Sequence, residues 1–316
     1  MRRIPPRATG VSARHEPVLL REALAFLAPG PGLYLDATLG DGGHAEALLL
    51  ADPGVRLLGN DRDLGSLAFA RERLARFGDR VTTVHGTFRD LPQAHAAMGG
   101  EPFRGALFDY GLSSAQIDDT ARGMSFRFDG PLDLRMDMSR GETLAERLLD
   151  VTESELADVL YTYGDIRASR PLARAIVAAA QAGTLATTAQ LAAIASRVLR
   201  DGSAGAIAPV FQALRIWVND ELADLEGSLA WLPEAMAEGG VVVTLSYHSG
   251  EDRRVKHALR GPATTTSRRL PPMAEAVAAG PWEELTRKVV VPSETEQQQN
   301  PRARSARLRA FRRKPR

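Results

Sequence analysis

The chain has 316 residues, 44% of them hydrophobic and 25% charged, with a formal net charge of +1. This is the composition of a globular protein with one large or two ordinary domains. The absence of cysteine excludes disulfides, thiolate metal sites and cysteine nucleophiles, and makes a cytoplasmic location the expectation. No apolar run reaches the roughly 18 residues of a membrane span, and the basic start of the chain lacks the apolar core of a secretory signal.

In chain order, residues 17–28 repeat apolar positions at helical spacing. Four short strands are predicted at 33–37, 56–61, 80–85 and 105–109, with helices at 44–51 and 64–77 between the first three. That alternation predicts an α/β fold with a parallel sheet. The first strand runs into the glycine-rich turn Asp36-Ala-Thr-Leu-Gly-Asp-Gly-Gly-His44. A turn without side chains lets backbone approach a ligand, and the following helix start offers free N–H groups. The second strand ends on Asp61, an acid placed to accept the two hydroxyls of a ribose. Asp63 competes for that role, or serves as a helix N-cap. The glycines do not fit the G-x-G-x-x-G pattern of nicotinamide sites, which favours S-adenosylmethionine (SAM).

The fourth strand ends on Asp109, beside the expected cofactor. A Gly-, Asp-, Met- and Arg-rich loop over 116–141 follows, and loops of that length usually work. Residues 143–200 are alanine-rich and helical in period, with Thr187 or Thr188 as a helix N-cap. The expected division is a discontinuous sheet domain, 1–115 plus 209–316, with an inserted helical domain at 116–208. The stripe Phe211, Leu214, Val218, Leu222, Leu225 and Leu229 predicts one long helix, stopped by Gly239-Gly240. A buried strand at 241–246, a helix near 251–259 and a final strand pair at 286–291 and 306–311 complete the series.

Charge is unevenly placed. Residues 300–316 hold eight basic side chains and no acid, and the first fourteen residues hold four arginines and no acid. Such blocks are candidate phosphate contacts.

The motifs His15-Glu-Pro-Val-Leu-Leu, Asp36 to His44, Ser113-Ser-Ala-Gln-Ile-Asp-Asp119, Arg122-Gly-Met-Ser-Phe, Asp129-Gly-Pro-Leu-Asp-Leu-Arg-Met-Asp137, Asn219-Asp-Glu-Leu, His248-Ser-Gly-Glu-Asp-Arg253 and Asn300-Pro-Arg-Ala-Arg-Ser stand in an order and spacing that resembles the ribosomal RNA small subunit methyltransferase H family, also called MraW. The resemblance implies a Rossmann-like SAM-dependent methyltransferase sheet with an inserted all-helical domain for RNA recognition. It implies methylation of the N4 amine of a cytidine in the decoding centre of 16S rRNA, with that rRNA or the small ribosomal subunit as partner. Carried over by position, the SAM contacts fall on Gly42, Gly43, His44, Asp61, Phe88, Asp109 and Gln116. The chain departs from the family pattern at Tyr110, Pro209, Tyr247 and Gly250, none of them a cofactor acid.

A cytosine amine is a poor nucleophile because its lone pair is delocalised into the ring. An acceptor for its N–H bonds assists attack. Asp109 is the first candidate for that role, its alternative being a cofactor contact. His248 is a second catalytic candidate, able to donate to the cytosine O2 or to relay a proton. Tyr247 is placed to stack on an extruded base. His44 is either a donor to the cofactor carboxylate or a structural hydrogen bonder, and Phe88 either an adenine contact or core. No metal site and no membrane partner are expected. Two other function classes share this sheet. An oxidoreductase fails on the glycine spacing, and a non-catalytic RNA-binding or assembly factor would lack the cofactor acids.

Overall fold

A computed structural model describes residues 17–260 and 280–315. The basic N-terminal segment, His15 and Arg316 lie outside the described residues. The chain starts with α1 (Leu20–Leu27), β1 (Gly32–Asp36), α2 (Gly43–Ala51), β2 (Val55–Asp61), α3 (Leu64–Leu74), β3 (Val81–His85), α4 (Leu91–Ala97) and β4 (Phe103–Asp109). Strand side chains alternate between faces. Tyr34 therefore joins the core under α1, α2 and α3, while Leu33 and Leu35 join the opposite core. The expected helix 64–77 ends at Leu74 and continues as a 3-10 turn, because Gly78 takes φ 54°.

The long loop is partly structured. It opens with α5 (Ser114–Asp118), and Pro131 bridges to Thr187. Then come α6 (Leu144–Asp150), α7 (Glu153–Gly164), α8 (Ser169–Gln181), α9 (Thr188–Leu199) and α10 (Ala204–Asn219). Thr143 with Glu146, Thr152 with Glu155 and Thr187 with Gln190 form reciprocal capping boxes that satisfy free N–H groups. These helices share one core running from Leu132 to Val218, and α10 crosses the boundary expected at 208/209.

The predicted long helix is two. Asp220 is left-handed at φ 50°, and α11 (Glu221–Ala235) starts beyond it. The apolar stripe runs through the break because each half is buried, but against different partners. Phe211, Leu214 and Val218 belong to the helical core, and Leu225 and Leu229 to the sheet core. Asn219 holds the corner: its Oδ1 accepts from Met136 N at 2.7 Å, and its Nδ2 donates to Leu134 O at 2.7 Å.

The chain returns through β5 (Met236–Ser246), α12 (Ser249–Arg260), β6 (Trp282–Glu284), α13 (Glu294–Gln299) and β7 (Arg307–Arg313). Helix α11 ends before the predicted Gly239-Gly240 stop, and both glycines lie in β5. The strand predicted at 286–291 is not formed. The exposed Arg287 and Lys288 leave the ladder, and only Val290 rejoins it, as a bridge to Leu308.

The seven-stranded sheet has the order β3-β2-β1-β4-β5-β7-β6. Strands β1 to β5 pair in parallel, and β7 is antiparallel to β5 and β6. The order reverses between β1 and β4, and a crevice beyond the carboxyl ends of the strands opens at such a switch point. Among the described residues no helix is long and apolar enough to cross a membrane.

Candidate active site

Three acids end adjacent strands at that switch point: Asp36 on β1, Asp61 on β2 and Asp109 on β4. Asp61 Oδ2 accepts from Gly40 N at 2.7 Å and its Oδ1 from Asp63 N at 2.8 Å. Each oxygen keeps lone-pair capacity for one more donor. Burial lifts the Asp61 carboxyl to about 6, against the pull of those two N–H groups. Burial likewise lifts Asp109 to about 6, and a side-chain hydrogen bond with Tyr247 pulls it down. Asp36 is lifted to about 8 by burial and then by the nearby Asp109 and Asp61, with the Thr38 N–H opposing. Such crowding of buried carboxyls makes the crevice a place that favours positive charge.

Asp61, Phe88, Asp109 and Gln116 line one cleft with Gly40, Asn60, Gly86, Tyr110, Leu222, Leu225, Tyr247 and Glu251. Phe88 meets Phe108 edge-on at 5.6 Å between ring centroids and Tyr110 at 5.9 Å, so it is at once core and cleft wall. Gln116 is committed at both ends of its amide: Oε1 accepts from Ser113 N and Nε2 donates to Asp63. Asp63 is the α3 N-cap, accepting from Gly65 N, and also pairs with Arg122 at 2.9 Å. With those partners it is less available to a ligand than Asp61.

Gly42, Gly43 and His44 lie outside this cleft. Gly42 is left-handed at φ 78°, which favours glycine. A Cβ on Gly43 would lie 2.4 Å from Pro17 Cγ, so close helix packing explains that glycine. His44 Nε2 hydrogen-bonds to Val18 O at 3.1 Å, and burial lowers its pKa to about 4. That bond commits one of its two ring nitrogens to the backbone.

A second, outer cleft shares Thr38, Gly40, residues 109–113, Tyr247 and Glu251 with the first, and adds Gly43, His44, His248 and the insert residues Arg127, Gln212 and Arg215. Asp109 stands in the wall common to both. His248 Nδ1 accepts from Gly250 N at 3.2 Å, which leaves the ring proton on Nε2. That atom is 3.0 Å from Glu251 Oε1, without hydrogen-bond geometry. Glu251 Oε2 accepts from Tyr247 N and His248 N, so one buried carboxylate shapes the whole Ser246–His248 turn.

Two residues of the site were missed in the sequence. Asp224 accepts from Phe88 N at 3.1 Å and Arg89 N at 3.0 Å and pairs with Arg62 at 2.9 Å. Arg62 also donates to Asn219 O, which ties the cleft floor to the corner of the insert. The available signal was an acid beside the stripe residues Leu222 and Leu225. The other is Asn60, a cleft-lining residue: its Nδ2 donates to Ala37 O and Gly86 O, while its Oδ1 is buried without a partner.

The cleft fits a nucleoside cofactor with a cationic end. It offers a carboxylate acceptor, apolar and aromatic walls and clustered acids. Among the described residues there is no cluster of side chains able to hold a metal.

The model of the MraW methylase family matches residues 12–314. The chain is 49% identical over 313 residues to the ribosomal RNA small subunit methyltransferase H of Sorangium cellulosum, covering 98% of this chain and 93% of that one. It is 44% identical to the protein of that name from Methylobacterium nodulans, over 94% of this chain and 89% of the other. The corresponding figures for Anaeromyxobacter sp. are 46%, 94% and 97%.

Proposed function

The chain belongs to the MraW methylase family, and from that membership we propose that it methylates the N4 amine of a cytidine in the decoding centre of 16S rRNA, using SAM. The broader activity, SAM-dependent methylation of rRNA, follows from the family and the named relatives. The choice of nucleotide rests on the family; the observation that supports an amine as the acceptor is the position of Asp109, a carboxylate in the wall shared by the two clefts.

Asp61 accepts the ribose hydroxyls, Phe88 and Leu225 bound the base, and the acid cluster faces the cationic end of the cofactor. Bound SAM supplies an electrophilic methyl on a sulfonium sulfur. The cytosine enters from the outer cleft, with Tyr247 against its ring and His248 in the wall beside it. Asp109 accepts from the N4 amine and aligns its lone pair. The proton that the N4 amine must shed on methylation would pass to Asp109. A pKa near 6 leaves this carboxylate ionised at neutral pH and still basic enough to take that proton. The inserted helices form the domain that recognises RNA, and the small ribosomal subunit or its rRNA is the partner.

The test is methylation of small subunits from cells lacking the gene, followed by mass mapping of the rRNA. One methyl on the N4 of a decoding-centre cytidine is expected. A methyl on a ring carbon or a ribose would overturn the reading.

A further inference from the structure

The outer cleft carries a charge that the fold leaves uncommitted. Four arginines line it: Arg73, Arg127, Arg215 and Arg302. Three are matched by carboxylates. Arg73 pairs with Glu46 at 2.7 Å, Arg215 is bidentate to Glu221 at 2.8 and 2.9 Å, and Arg302 pairs with Asp118 at 2.6 Å. Arg127 has no carboxylate partner among the described residues, and its only hydrogen bond there is from its backbone N to Ser125 Oγ.

Its main chain is nevertheless well held. On one side Phe126 packs against Phe211, with ring centroids 5.6 Å apart. On the other, Phe128 O accepts from Thr188 Oγ1 at 2.9 Å, and Asp129 Oδ1 accepts from Ala189 N at 3.1 Å. A free guanidinium on a fixed base keeps five donors for a ligand and loses little backbone entropy on binding one. Phe128, next in the chain, is 54% exposed, and an exposed aromatic beside a cation suits single-stranded nucleic acid.

We propose that Arg127 is a phosphate contact for the RNA strand that delivers its base to Asp109. The identity of the ligand rests on the rRNA methyltransferase reading above. The physical reason is division of labour within one nucleotide. The base can shed water and enter the cleft, whereas its phosphates are strongly hydrated anions that stay at the mouth. There, a solvated guanidinium meets them without a desolvated partner to abandon. Arg302 and Arg215 must first give up carboxylates to do the same.

The test uses the full chain and a single-stranded RNA of about 12 nucleotides, within the usual range for one single-strand site. Affinity is measured against salt for wild type, Arg127→Gln and Arg127→Lys, with SAM affinity measured separately. Loss of one phosphate contact in Arg127→Gln should lower the slope of log K against log salt by about 0.7. Arg127→Lys should keep the slope, and SAM affinity should not change in either variant. A wild-type slope in Arg127→Gln overturns the proposal. So does a parallel loss of SAM affinity, which would assign the arginine to the cofactor carboxylate. Because the readout is RNA binding, it remains decisive even if methylation proves to fall on another nucleotide.

Discussion

The two sides of the joint cleft are built on opposite principles. On the cofactor side the polar groups are buried and largely satisfied within the protein. Asp61 holds two backbone N–H groups, Gln116 is bonded at both ends, and Asp224 takes Phe88 N, Arg89 N and Arg62. On the acceptor side stand exposed groups: Arg127 and the Arg302–Asp118 surface pair. The first side is preorganised for a small ligand of fixed shape. The second keeps charge in water until a long polyanion arrives. Asp109 stands on the seam and serves both.

The seam is where the largest effect is expected. Asp109→Asn should lower kcat by ~10²–10⁴, the usual yield of a positioned acid or base, and weaken SAM binding by a smaller factor, because its carboxylate also faces the cofactor cleft. Single-turnover rates and calorimetry on the same variant measure the two quantities. If SAM affinity falls in step with the rate, Asp109 belongs to the cofactor side alone.

A smaller effect should fall on the cofactor side. Asp61→Ala should weaken SAM binding by ~1–3 kcal/mol, the cost of leaving polar groups unpaired, while RNA affinity stays the same. The wild type should also lose SAM affinity as the pH drops below about 6, because the raised carboxyl then takes up a proton and one acceptor oxygen becomes a donor. Calorimetry from pH 7 to about 5 checks this, and an equal fall in Asp61→Ala would assign the titration to Asp109, whose carboxyl is raised to the same range.

The smallest effect is expected from the most basic stretch of the sequence. The eight cations of 300–316 read as one phosphate-binding block, but β7 divides them. Its antiparallel register sets Arg307 opposite Ser246, at the cleft end of the sheet, and Arg312 opposite Val241, at the far end. Arg309 is buried and bidentate to Asp252, Arg313 is buried against the carbonyls of Pro233 and Pro281, and Lys314 Nζ donates to Gly280 O. Neutralising Arg312 and Lys314 should therefore leave the RNA salt slope near wild type. A loss comparable to that of Arg127→Gln would place the RNA on the far end as well and dissolve the contrast between the two sides.

The sequence by itself determined what depends on local order. Strand periodicity, the glycine turn, the capping threonines and the acids at the strand ends were readable because neighbouring residues decide them. The motif order named the family for the same reason, since it is a property of the string. The tertiary structure decided what depends on distant partners. It split the stripe from Phe211 to Leu229 between two cores, which apolar spacing alone cannot distinguish. It turned Gly43 and His44 toward Pro17 and Val18 rather than into the first cleft. It also set which arginines are spent in ion pairs and which remain free, because charge in a sequence is only a count until folding gives each cation its neighbours.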